Sequence, residues 1–125
     1  MHILLDTRVL IWWHEKNPRL NKKMRDIIAD DANEVFVSIV TLWEIAIKLS
    51  SKKIKLTVSR KMEALQDNFI LLDLDILDVQ RVMELPWIHR DPFDRMLIAQ
   101  AKRENLYLMT DDAAILRYDL RKIEP

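Results

Sequence analysis

HRDPFDRMLIAQAKRENLYLMTDD, residues 89–112, holds a helix, its stop signal and a strand in one uninterrupted run. Asp91 precedes Pro92, and proline suits the first helical position because the N–H it lacks would have no partner there. Asp91 is therefore the expected N-cap. Leu97, Ile98 and Ala101 recur at helical spacing and predict a core-facing stripe on a helix running to about Glu104. Asn105 stands where that helix should end, and asparagine is the best non-glycine residue for a left-handed cap. The apolar run LYLMT (106–110) then predicts a buried strand, closed by Asp111 and Asp112.

The same alternation extends outward in both directions. ILL (3–5) reads as a buried strand that ends at Asp6 and Thr7, with a helix over 9–13. Asn17 and Pro18 break the chain, and Asn21 can cap a helix to residue 29. VFVS (35–38), β-branched and aromatic, predicts a strand, followed by a helix over 39–49. A helix over 59–67, the strand FILLDL (69–74) and a helix over 76–85 come next, with Pro86 and Trp87 in a connection. Beyond LYLMT the expectation is a short helix over 112–117 and an edge strand over 121–123. Strands that alternate with helices imply crossover connections, hence an α/β fold with a mostly parallel sheet of four to five strands covered on both faces. No repeat, low-complexity segment or linker interrupts the chain, so residues 1–125 read as one domain.

Bulk properties narrow the function. Of 125 residues, 50% are hydrophobic and 32% charged, with 20 basic and 20 acidic side chains, which argues for a packed core and against disorder. Zero net charge argues against a general nucleic-acid coat protein, yet a local basic patch beside an acidic pocket remains open. Without cysteine there is no disulfide and no thiolate zinc site. Without glycine there is no phosphate-cradling loop of the P-loop or dinucleotide-binding kind. His2, His14 and His89 lie too far apart for a histidine metal motif and read as ordinary, partly exposed residues. No apolar run reaches membrane-spanning length. MHILLDT meets a carboxylate too early for a signal peptide, so a soluble cytoplasmic protein is expected.

The carboxylates carry the chemistry. In parallel α/β sheets ligands collect at the carboxyl ends of the strands, where Asp6 and Asp112 both fall. Either one alone is equally at home as a helix cap. Glu44 lies between Val40 and Ile47 on a largely apolar stripe, where an unpaired charge is costly. Pairing with Lys48 or with Thr41 is the structural alternative. Asp94 leads the stripe of Leu97, Ile98 and Ala101 and should point inward at the same sheet edge, leaving Asp91 as cap or support. Four converging carboxylates would raise one another's pKa without a cation. Oxygen ligands with no His or Cys favour Mg²⁺ or Mn²⁺ over zinc, and phosphodiester hydrolysis is the natural reaction of such a centre.

LLDTRVLIWW, VSIVTLWEIAIK, HRDPFDRMLIAQA and LMTDD, in this order and spacing, resemble the PIN-domain ribonucleases, and most closely the VapC-type toxins of type II toxin–antitoxin pairs. The resemblance covers nearly the whole chain and implies a three-layer α/β/α PIN-like fold. It implies metal coordination by Asp6, Glu44 and Asp94, with a fourth acid in the Thr-x-Asp pattern of Thr110 and Asp112. Asp111 is adjacent and could substitute for Asp112. Thr7, Ser38 and Thr110 would be supporting hydroxyls. Close relatives often carry His after the Asp-Thr pair, whereas this chain has Arg8, able to contact a scissile phosphate or pair with an acid. The resemblance also implies a homodimer and a VapB-type antitoxin that inserts a segment near the active site.

Between Lys48 and Lys61 lie six basic residues and no acidic one. Lys48, Lys52, Lys53 and Lys55 are the candidates for tracking an RNA backbone, with Arg60 and Lys61 beyond them; a solvated helix end is the alternative. Single-stranded or looped RNA (tRNA, rRNA or mRNA) is the expected substrate, since a recessed site needs bases and backbone splayed out. Trp43 is expected in the core, while Trp12 and Trp13, adjacent on one helix, cannot both face inward, which puts one at an interface. The main rival is a PIN nuclease of RNA processing or quality control outside any toxin pair. A phosphoryl-accepting receiver domain would need an acidic pair after the first strand, where only Asp6 stands. An inactive scaffold sits poorly with all four acids present.

Overall fold

Five strands and seven helices alternate along the described residues, 1–55 and 61–125, of the computed structural model. They are β1 (His2–Leu5), α1 (Thr7–Glu15), α2 (Lys22–Ala29), β2 (Glu34–Ser38), α3 (Ile39–Ser50), α4 (Met62–Gln66), β3 (Ile70–Leu72), α5 (Ile76–Val82), α6 (Pro92–Glu104), β4 (Tyr107–Met109), α7 (Ala113–Leu116) and β5 (Lys122–Ile123). The sheet order is β3-β2-β1-β4-β5, and every neighbouring pair is parallel. This is a three-layer α/β/α architecture. No helix among the described residues is long and apolar enough to cross a membrane.

Side chains alternate across a strand, and β1 shows what that does when both faces are covered. Ile3 and Leu5 enter one core cluster with Val9, Leu10, Met24, Ile45 and Leu65. Leu4 enters the other with Leu97, Ile98, Ala101, Leu108 and Tyr118. Helices α1, α2 and α4 therefore cover one face and α6 the other. Helix α3 serves both clusters, through Leu42, Ile45 and Leu49 on one side and Val40 on the other.

Local signals set most boundaries. Asn21 accepts from the Met24 N–H and caps α2; Asp91 accepts from the Asp94 N–H and caps α6 behind Pro92. Asn105 ends α6 at φ 56°, its N–H donating to Ala101 O. Lys16, Lys52 and Asn68 also take positive φ, each at a cost of roughly 1 kcal/mol for a residue with a Cβ.

Several expectations are corrected. Helix α1 starts at Thr7, two residues earlier than expected, because Asp6 itself is the cap. The helix expected over 59–67 spans Met62–Gln66, and residues 59 and 60 lie outside the described residues. Strand β3 keeps only Ile70–Leu72 of the expected 69–74. Trp43 is 60% exposed instead of in the core. The buried side of α3 is Val40, Thr41, Leu42, Glu44, Ile45 and Leu49, which turns Ile39, Trp43 and Ile47, spaced by four, outward. Trp43 meets Phe93 edge-on at 5.1 Å. Trp12 is buried, and Trp13 is half-buried against Phe69.

Helix α5 stops at Val82, short of the expected 85, and Arg95 supplies the reason. It is buried without a carboxylate partner among the described residues. Its Nη1 donates to Pro86 O (2.9 Å) and Tyr118 Oη (3.2 Å), and its Nη2 to Val82 O (3.0 Å) and Leu85 O (3.3 Å). Carbonyls at a helix C-terminus carry partial negative charge and suit a cation. The guanidinium also lies 4.0 Å from the centre of the Trp87 ring. Tyr118 closes the arrangement, accepting the His89 N–H (2.9 Å) and donating to Pro86 O (2.8 Å). The connection from α5 to α6 is thereby clamped.

Candidate active site

Asp6 leaves β1 with its N–H donating to Met109 O of β4. Its Oδ1 accepts the Val9 N–H (2.8 Å) and its Oδ2 accepts the Thr110 hydroxyl. Asp112 repeats the pattern at the end of β4, with Oδ1 accepting the N–H groups of Ala114 (2.8 Å) and Ile115 (3.1 Å). Capping uses one oxygen of Asp112 and leaves Oδ2 toward the pocket, so cap and ligand are compatible roles. The Thr110 oxygen also accepts the Asp112 N–H (3.0 Å), which joins the two acids through one hydroxyl.

Glu44 is buried on α3 and arrives from the opposite side. Its Oε1 accepts the Thr7 hydroxyl (2.6 Å) and its Oε2 pairs with Lys48 (2.6 Å). Thr7 has one proton, spent on Glu44, so Thr41 at 3.3 Å must donate to it rather than receive. Asp94 sits in the first turn of α6, with Oδ2 2.8 Å from His89 Nε2.

Asp6, Glu44, Asp91, Asp94 and Asp112 line one cavity of about 340 Å³ together with Thr7, Arg8, Ile11, Lys48, Ile54 and His89. Five carboxylates therefore face two fixed cations. A larger groove of about 530 Å³, lined by Trp12, Trp13, His14, Lys16, Leu20 and Arg25, holds no carboxylate and has no equivalent chemistry. Asp111 pairs with Arg8 (3.3 Å), and Arg8 also reaches Asp112 at 3.9 Å. Ser38 lies away from the cavity: it accepts the Val40 N–H and donates to Gln100 Oε1 (2.6 Å), tying α3 to α6. Lys52, Lys53 and Lys55 are exposed beyond the end of α3, beside Ile54, which reaches the cavity wall. Arg60 lies outside the described residues.

Burial dominates the electrostatics. It pushes the Asp6 carboxyl up to about 7, against the lowering effect of bonds from Thr110 and Val9, and Asp94 and Asp111 push it further. Burial likewise lifts Asp94 to about 6, with Asp91 and Glu44 adding repulsion and His89 opposing it. Folded-state values above those of the unfolded chain mean that the native state binds the extra protons. With respect to these two groups, stability is greatest below about pH 4 and falls as pH rises toward 7. Divalent metal should cancel that fall. Thermal melts in EDTA and in MgCl₂ from pH 5 to 8 should diverge as pH rises; parallel curves would remove the electrostatic argument.

The sequence reading of His89 as an ordinary, partly exposed residue misses its place at the site. His89 precedes α6, so no helical spacing links it to Asp94, and its placement depends on the Tyr118 and Arg95 clamp from distant segments. Among the described residues, the donor atoms of His89, Asp94 and Asp112 lie within 4.8 Å of one another, close enough to share an ion. The other histidines are ordinary: His2 pairs with Glu34, and His14 meets Leu65 O.

An acid-lined cavity at the carboxyl edge of a five-stranded parallel sheet defines a class of domain suited to divalent ions and phosphate esters. Residues 3–120 match the PIN domain, and the chain belongs to that family, whose members are nucleases that generally use divalent metals. Solved structures share the fold. VapBC2 from Rickettsia felis, bound to a promoter DNA fragment, is 19% identical, covers 99% of this chain and 98% of its own, and superimposes with a TM-score of 0.72. DNA-bound VapBC from Salmonella typhimurium is 17% identical with the same coverage, 99% and 98%, and a TM-score of 0.72. VapC20 from Mycobacterium tuberculosis, a toxin that cleaves the sarcin–ricin loop, is 14% identical, with coverage of 98% and 99% and a TM-score of 0.67. No curated protein sequence matches the chain.

Proposed function

We propose that this chain is a metal-dependent endoribonuclease that cuts single-stranded or looped RNA and acts as the toxin of a toxin–antitoxin pair. The carrying observation is the convergence of Asp6, Glu44, Asp94 and Asp112 on one cavity in which burial holds Asp6 and Asp94 far above the ordinary carboxylate range. With five carboxylates against Arg8 and Lys48, a further cation would let all the acids ionise together. Asp6, Asp94 and Asp112 would hold Mg²⁺ or Mn²⁺, with Glu44 completing the set from α3. Such an ion lowers the pKa of a bound water and orients a phosphodiester for in-line attack.

The chain's own groups supply the rest. Thr110 holds Asp6 and orients Asp112; Thr7 and Lys48 hold Glu44. Lys48 lines the cavity and Lys52, Lys53 and Lys55 follow just beyond the end of α3, and an RNA backbone would follow them. Arg8, half-exposed between Asp111 and Asp112, is placed to exchange a carboxylate for a phosphate. The solved toxin–antitoxin pairs of similar fold support a VapB-type antitoxin as partner. A homodimer and a cytoplasmic setting belong to the same proposal.

The test is incubation of labelled total tRNA and rRNA with Mg²⁺ or with EDTA, using wild type and Asp6→Asn. Cuts at a few discrete sites, absent with EDTA and in the variant, are expected. Equal cutting by wild type and Asp6→Asn would end the assignment. Asn keeps an oxygen for the Val9 N–H, so the variant should fold.

A further inference from the structure

We propose that His89 is a nitrogen ligand of the metal centre, making it a mixed imidazole–carboxylate site that prefers Mn²⁺ and other transition-metal ions to Mg²⁺. This rests on the metal-dependent reading above. His89 Nε2 lies 2.8 Å from Asp94 Oδ2 and 3.9 Å from Asp112 Oδ2. Donor atoms around one ion at about 2.1 Å sit roughly 3 to 4 Å apart, so these three atoms already have nearly the spacing of a shared coordination sphere. Asp94 and Asp112 are anchored by their own helices, one in the first turn of α6 and the other capping α7.

The main chain that carries the ring is held in place. The His89 N–H donates to Tyr118 Oη, and its carbonyl accepts from Arg95 (3.4 Å). Both anchors are buried. The imidazole is 21% exposed and lines the acid cavity, so it is neither sealed in the core nor free to swing into solvent. A histidine serving only to brace Asp94 would need the hydrogen bond alone, not the additional approach to Asp112.

A nitrogen donor changes the chemistry of the site. Mg²⁺ demands an oxygen environment and gives up water reluctantly. Imidazole binds borderline ions better, in the order of first-row divalent affinities. His2 pairs with Glu34 and His14 lies at Leu65 O, and neither lines the cavity. Any metal-bound imidazole in the cavity therefore comes from His89.

Pulsed electron paramagnetic resonance of the full chain loaded with Mn²⁺ alone reads this directly, without activity. Wild type should show ¹⁴N modulation from a coordinated imidazole, and His89→Gln should bind Mn²⁺ without it. By calorimetry, His89→Gln should lose about tenfold or more in Mn²⁺ affinity but less than about threefold in Mg²⁺ affinity. Mn²⁺ bound by wild type with no nitrogen modulation would overturn the proposal and leave the metal-dependent reading standing. Modulation that persists in His89→Gln would also overturn it. Failure of wild type to bind Mn²⁺ at all would overturn both.

Discussion

Replacing Asp94 by Asn is expected to lower RNA cleavage by more than about a hundredfold, the scale at which even indirect supports of a metal matter, while raising the melting temperature of the metal-free protein. The two effects have one cause. Burial and the neighbouring Asp91 and Glu44 lift the Asp94 carboxyl to about 6, so above that pH its charge costs stability. Asn has the same shape, carries no charge and can still bond His89, and the bond from the Asp94 backbone N–H to Asp91 does not involve the side chain. The gain should be on the order of 1 kcal/mol at pH 7.5 and should vanish below about pH 4, where both states are protonated. Added Mg²⁺ or Mn²⁺ should reverse the ranking, stabilising wild type and not the variant. Thermal melts in EDTA, with and without metal, decide the matter. A lower melting temperature for Asp94→Asn in EDTA would make Asp94 a structural brace.

The largest loss of stability is expected at Arg95. Arg95→Met leaves the carbonyls of Val82, Leu85 and Pro86 without their cationic donor and removes a partner of Tyr118. Pro86 O keeps the Tyr118 hydroxyl and Val82 O the Leu85 N–H, but losing these hydrogen bonds from a charged donor, about 1.5–3 kcal/mol each and not fully additive, still implies a net loss of about 3 kcal/mol or more. In a chain of this length the melting temperature should fall by roughly 10 °C. Arg95→Lys keeps the charge but not the planar fork, and should recover only part of the loss. A fall of less than about 2 °C for Arg95→Met would mean that water or main-chain shifts satisfy those carbonyls readily.

What could be read in advance follows the range of the interactions. Asp91 with Pro92, Asn21 and Asn105 act on backbone groups a few residues away, so the ends of α2 and α6 were legible. Alternating apolar segments made the parallel sheet legible too. Trp43 was not, because hydrophobicity alone does not say which side of α3 faces inward when Ile39, Val40, Ile45 and Ile47 offer two apolar sides. Ile47 is exposed, so the buried neighbours of Glu44 are Val40, Thr41 and Ile45. His89 and Arg95 stood in the quoted motif, but their partners include Tyr118, far along the chain, and no local periodicity links them. Glu44 shows both of its sequence-level readings at once: the pair with Lys48 forms, and the carboxylate still lines the acid cavity.

The central position of β1 has a bearing on how such a molecule is made. Asp6 reaches its first partner on the far side, Thr110, across 104 positions of chain, and β1 pairs with β4 only at Tyr107–Met109. A ribosome emitting the polypeptide from its amino end thus releases half of the acid cluster early and withholds the other half. Until residues 110 and 112 have been polymerised and have docked beside β1, the acid cavity is incomplete, so the site forms only at the end of synthesis.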